Sequence, residues 1–182
     1  MKHLRLIIPV IILGLVGLFW GCGPTSETSS IPAGTGVVLS AMDVVNRVTP
    51  FPWMGDQSYA VVRREWVEVF YKEFRRDLFD RDVVRWNERF DCNHFSAYFV
   101  SLAQIRYYAD NWGKNTGATT LAIGERWYVP GSRKPLVGQA PKAGHAIVVM
   151  VTENGVEHFE PQTGQFITLS KEEIDSTYLL KF

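Results

Sequence analysis

The feature that most constrains this chain is the segment from Ala146 to Glu160. A β-branched run, Ala146 to Thr152, is followed by Glu153-Asn154-Gly155 and a second extended run, Val156 to Glu160. An Asn-Gly pair between two such runs signals a β-hairpin, because a two-residue type I′ turn needs positive φ at both central positions. With Asn154 and Gly155 as those positions, Glu153 faces Val156 and facing residue numbers sum to 309. Two strands cannot stand alone in water, so this hairpin needs further strands or a packed helix.

The rest of the chain offers both. Ser40 is placed to cap a short helix running through Val48, ended by Thr-Pro-Phe-Pro at 49–52. Tyr59 to Val62 reads as extended. A helix follows from Arg64 to Leu78, where Trp66, Val69, Phe70, Phe74 and Leu78 recur at helical spacing. A second begins at or beside Cys92, with Phe95, Phe99, Leu102, Ile105 and Tyr108 or Ala109 as its apolar stripe. Strands are expected at 120–129, 165–169 and 178–182, with a short helix at 171–175 and a Pro- and Gly-rich loop at 130–144. Helices first and an antiparallel sheet afterwards make an α+β domain.

At the N-terminus, Lys2 and Arg5 precede an uncharged run from Leu6 to Trp20. A basic start before an apolar run is the layout of a secretory signal, and about 15 residues fall short of the ~20 that span a bilayer as a helix. Gly21-Cys22 follows directly and resembles the lipobox of bacterial lipoproteins, in which the cysteine is acylated and becomes the new N-terminus. Phe19 and Trp20 stand where that family prefers Leu and small residues; an uncleaved signal anchor is the alternative. The resemblance implies a signal peptide at 1–21, a lipidated flexible spacer at 22–37 and one domain at 38–182, held to a membrane in a bacterial cell envelope.

Removing Lys2 and Arg5 from 19 basic residues leaves 17 against 19 acidic, near −2 for the mature chain. That balance provides no basic field for nucleic acid. There are two cysteines, Cys22 and Cys92. Acylation of Cys22 would leave Cys92 as a lone thiol in an oxidising compartment, without an intrachain disulfide partner.

Three segments carry candidate chemistry. Cys92, in Phe-Asp-Cys-Asn-His-Phe (90–95), opens a helix, where unpaired N–H groups and the helix dipole favour a thiolate and can receive an oxyanion. His145, in Gly-His-Ala, opens a strand and is a candidate general base. Glu160, in Phe-Glu-Pro-Gln-Thr-Gly (159–164), closes the next strand as a candidate orienting group. In the expected register His145 and Glu160 share a face but lie four residues apart, ~13 Å along the strands. Gln162 is nearer and rivals Glu160. His94 is a lesser rival base, expected to point away from Cys92. Asn93 is a possible supporting group, and Gln57 is upstream of the thiol, where a papain-like oxyanion donor would sit. Asp77, Asp80 and Asp82 form an acidic cluster that reads as a solvated helix end, with calcium ligation as the alternative.

A Cys at a helix start, a His at a strand start and an acid or amide on the following strand is the order of papain-like and transglutaminase-like folds. The segments Phe-Asp-Cys-Asn-His-Phe, Gly-His-Ala-Ile-Val-Val and Phe-Glu-Pro-Gln-Thr-Gly resemble the papain-like C-terminal domain of a fungal agglutinin and its bacterial relatives, over roughly residues 59–170. The resemblance implies Cys92 as nucleophile, His145 as base and Glu160 as its partner, acting on a peptide or other amide bond. In that family calcium or manganese supports activity, but its ligands match no residues here, so no cofactor or metal residue is assigned. No carbohydrate-binding repeat precedes the domain. Cell-wall peptide cleavage is the enzymatic alternative, since γ-D-glutamyl endopeptidases also use Asp-Cys on a helix and Gly-His on a strand. A non-catalytic binding module on the same fold is the alternative from another class.

Overall fold

A computed structural model describes residues 31–83, 85–131 and 144–182. The expected signal peptide, Cys22, most of the expected spacer and the expected loop at 132–143 lie outside the described residues.

The elements follow the order β1 (Gly34–Ser40), α1 (Ala41–Arg47), β2 (Ser58–Val62), α2 (Arg64–Asp80), α3 (Cys92–Asn111), β3 (Thr120–Leu121), β4 (Ile123–Tyr128), β5 (His145–Thr152), β6 (Gly155–Glu160), β7 (Gln165–Ile167), α4 (Lys171–Asp175) and β8 (Leu179–Lys181). The strands join one sheet with the path β1-β2-β5-β4-β8; β3 lies on β2, and β6 on β5 and β7. The domain is α+β, with two corrections to the expected sheet. It is mixed, because β2 runs parallel to both β3 and β5. It also begins earlier, since Gly34–Val37, expected as the end of a flexible spacer, belong to β1, which pairs with β2 from Gly34 and, after an irregularity, from Val38 onward.

The helices pack as their sequences dictate, with two adjustments. Ser40 and Asp43 make reciprocal side-chain and backbone bonds at the start of α1, and Ser170 and Glu173 do the same at α4. Each box satisfies donors that the first helical turn leaves open. On α2 the buried side chains are Trp66, Val67, Phe70, Phe74 and Leu78, so Val67 takes the place expected for Val69. On α3 the buried set is Phe95, Ser96, Phe99, Ala103 and Tyr107. That spacing of four carries the stripe away from Ile105 and Tyr108, which are 63% and 61% exposed. Phe70, Phe74 and Phe99 meet edge to face at about 5 Å, and with Val148, Met150 and Phe159 of the sheet they form the main core. Fully burying an aromatic or aliphatic side chain contributes roughly 1.5–3 kcal/mol, so this cluster fixes α2 and α3 on the strands.

The β5–β6 hairpin forms in a different register. Thr152 faces Gly155 and Val148 faces Phe159, so facing numbers sum to 307. Glu153 and Asn154 are the turn, and positive φ falls on Gly155 (111°) and not on Asn154. The Asn154 N–H is held by the Thr152 hydroxyl at 3.1 Å. A shift of two preserves the face of every side chain while sliding one strand along the other.

Candidate functional site

The shift in register determines the site. With numbers summing to 307, Glu160 stands opposite Ile147, two residues from His145 and not four. The offset falls to ~7 Å, within reach of two side chains leaning toward each other. His145 Nε2 lies 2.6 Å from Glu160 Oε2, and both side chains are almost fully buried.

Glu160 is held from its own backbone as well. Its main-chain carbonyl accepts the N–H groups of Thr163 (3.2 Å) and Gly164 (2.8 Å), closing a tight turn. Its second carboxylate oxygen, Oε1, accepts the Gln162 N–H at 3.0 Å. Gln162 therefore supports Glu160 through its backbone, while its own amide Nε2 is buried without a partner among the described residues. Gly164 has φ of 74°, and a Cβ there would lie 2.2 Å from the Tyr71 ring. A glycine is needed on both counts. Tyr71 packs edge to face on Phe159, and burial raises its pKa first, with the Glu160 charge adding to the rise.

Cys92 is the first residue of α3, half-buried, after the N-cap Asp91. First-turn N–H groups have no intrahelical partner, so those of Cys92 and Asn93 face outward along the helix axis. The Cys92 side chain lies within electrostatic reach of His145. Burial disfavours the charged imidazole, but hydrogen bonds to Cys92 and Glu160 and the charges of both outweigh it and push the His145 pKa up to about 9. The imidazolium is thus the favoured form at neutral pH, flanked by sulfur on one side and carboxylate on the other.

The other candidates separate clearly. His94 Nδ1 lies 2.8 Å from Asp91 Oδ1 and its ring stacks on Phe90, so it is engaged at the helix cap. Asn93 Oδ1 accepts the His94 N–H at 3.0 Å, which also binds it to the helix end. Gln57 precedes β2, which meets β5 at Val62–Thr152, the end of β5 opposite His145. Its carbonyl accepts the Ala41 N–H, and it enters no described contact with Cys92, His145 or Glu160. In the acidic cluster, Asp77 is bound by Arg81 at 2.9 Å and by the Tyr98 hydroxyl, which lower its pKa. Among the described residues no three His, Cys, Asp or Glu side chains are grouped to hold a metal ion.

Tyr178 belongs to the site without any local sequence signal. A Cβ on Gly144 would lie 2.1 Å from its hydroxyl, so the ring tip rests on the backbone beside His145. Its ring meets Trp127 edge to face, and its pKa is raised by burial and then by the charge of Cys92. Tyr128 lies edge to face with the His145 imidazole at 5.8 Å. Tyr128 pairs with His145 across β4 and β5, 17 residues away in sequence, and Tyr178 leads into β8, 34 residues from Gly144 and 86 from Cys92, so no local motif links either to the site.

No family model and no curated protein matches the chain. Among solved structures it is similar to the Polyporus squamosus lectin bound to the human-type influenza-binding epitope Neu5Aca2-6Galb1-4GlcNAc, with a TM-score of 0.57 and 19% identity over 80% of this chain and 49% of that one. It is similar to a second solved chain, PSL1a in complex with E64, with a TM-score of 0.57 and 18% identity over 80% and 51% of the two chains. The chain spans about half the length of the solved chains it matches. At these identities the likeness is one of fold.

Proposed function

We propose that this protein is a membrane-tethered cysteine hydrolase of papain-like design, cleaving a peptide or other amide bond outside the cytosol. One observation carries the reading: a cysteine at a helix start, within electrostatic reach of a buried histidine that a buried glutamate holds at 2.6 Å. Glu160 occupies Nε2, which leaves Nδ1 to hold the proton that Cys92 gives up, so that a thiolate stands beside the imidazolium. The thiolate attacks the carbonyl carbon, and the first-turn N–H groups of α3 receive the oxyanion. The C–N bond breaks as the amine leaves with a proton from His145, and a thioester remains on Cys92. Water then attacks the thioester, giving its proton to His145 and releasing the acid. Glu160 keeps the imidazole oriented and its positive charge compensated in both halves.

The test is the reactivity of the thiol. Iodoacetamide is expected to label Cys92 in the folded protein far faster than in urea. E64, held by one of the similar chains, is the second probe. Cys92→Ala is expected to abolish cleavage of a peptide library and leave the thermal midpoint nearly unchanged. Equal labelling rates folded and unfolded, without turnover, would sink the enzymatic reading. Purified peptidoglycan assayed beside the peptide library separates the cell-wall alternative.

The second reading is a non-catalytic binding module, and the comparisons taken alone favour it, because one similar chain is described with a bound sialylated glycan. On that reading Cys92→Ala would retain full binding of such a glycan, and no substrate would turn over.

A further inference from the structure

The far end of α3 carries an apolar surface that the core does not use. Ile105, Tyr108 and Trp112 follow one another at helical spacing of three and four and are 63%, 61% and 71% exposed. Tyr108 and Trp112 meet edge to face at 5.1 Å, so the two rings form one amphipathic surface. The chain outside the described residues joins the domain at this same end. Pro32, Ala33 and Gly34 line one cavity with Tyr107, Asn111 and Lys114 of α3 and its following turn. Ahead of Ile31 lie 30 residues that include the uncharged run Leu6 to Trp20 and then Cys22.

We infer that the C-terminal end of α3, through Ile105, Tyr108 and Trp112, rests in the headgroup region of the membrane to which the N-terminus tethers the chain. Trp and Tyr partition to that region because their rings are apolar at one edge and hydrogen-bonding at the other. Ile105 adds aliphatic area beneath them, and Lys114 supplies a cation at the same end. Another exposed cluster, Met42, Phe51 and Trp53, follows β1, whose seven residues carry the chain ~23 Å from Gly34. The α3 cluster is the one beside the tether. Eleven residues from Gly23 to Ala33 span at most ~38 Å extended, so the tether makes docking an intramolecular event and a weak apolar contact suffices. Cys92 stands at the other end of the 20-residue helix, ~20–30 Å along its axis from this contact.

The inference rests on the reading of the N-terminus as a membrane anchor, and one experiment separates the two. The full chain, with Trp20→Phe as the background of every form compared because Trp20 ends the anchoring run, is reconstituted in phosphatidylcholine vesicles containing lipid brominated near the headgroup, and tryptophan emission is measured after flotation. Quenching is expected in the wild type, largely lost in Trp112→Phe and retained in Trp53→Phe. Equal quenching in wild type and Trp112→Phe, with the chain floating, overturns the docking and leaves the anchor standing. A chain that does not float overturns both. Shielding of Trp112 from iodide that rises with protein concentration in lipid-free detergent identifies a second copy as the occupant, which also overturns the proposal.

Discussion

The two ends of α3 are built on opposite principles. At its start polar groups are buried and joined: Glu160 holds His145, the acid and the imidazole are almost wholly removed from water, and half-buried Cys92 acts on the imidazole. At its end the apolar groups are exposed and joined only to each other, with Trp112 and Tyr108 facing out. Each end inverts the usual rule of apolar inside and polar outside, and inversions of either kind mark places where a protein meets something else. Between them Phe95, Phe99 and Ala103 follow the rule and hold the helix on the sheet. The fold is the middle of the helix, and the candidate functions are its ends.

The largest expected effect comes from breaking what the ends share. Phe99→Ala removes a fully buried ring that contacts Phe70, Phe74 and Phe159 and should cost about 3–5 kcal/mol, read as a lower midpoint in urea. Both the fast thiol labelling and the Trp112 signal should fall with it. Gly164→Val confines damage to the first end. It forces a β-branched side chain into positive φ and into the Tyr71 ring, at a cost of roughly 1–3 kcal/mol, and should slow Cys92 labelling without altering Trp112 emission.

A third prediction concerns pH. The His145 pKa is raised from its ordinary 6.5 to about 9, so the folded state favours the charged ring. Its contribution to stability is complete below 6.5 and is lost as pH rises through about 9. A thermal midpoint that declines over this window in the wild type should decline less in His145→Gln. On the hydrolase reading, kcat/KM should fall on the alkaline side over the same upper limb. At the small end of the scale, Trp112→Ser should leave stability within about 0.5 kcal/mol, as an exposed substitution does. A larger loss would mean that Trp112 belongs to the core.

Much of the first end was legible in the sequence and little of the second. Cys92 at a helix start, His145 at a strand start and Glu160 at a strand end all stand where short motifs place them. What the motifs do not encode is register. The turn forms on Glu153 and Asn154, and the two-residue slide that follows brings His145 and Glu160 into contact. Strand β1 carries no such signal, because Gly34, Thr35 and Gly36 look like spacer and most of the strand is exposed, so no alternating pattern marks it. On α3, large apolar residues drew the expected stripe toward Leu102 and Ile105. The real stripe runs through Ala103 and Ser96, small side chains that close packing can bury and a hydrophobicity pattern undervalues.

Glu160 performs two tasks with two different parts of itself. Its side chain fixes His145 and accepts the Gln162 N–H, while its main-chain carbonyl fastens the turn that ends β6. Glu160→Gln keeps an acceptor oxygen for the Gln162 N–H and leaves the main-chain fastening in place. Chemistry at this position can therefore be switched off while the architecture stands, and an active copy and a silent copy of the domain would differ by one side chain.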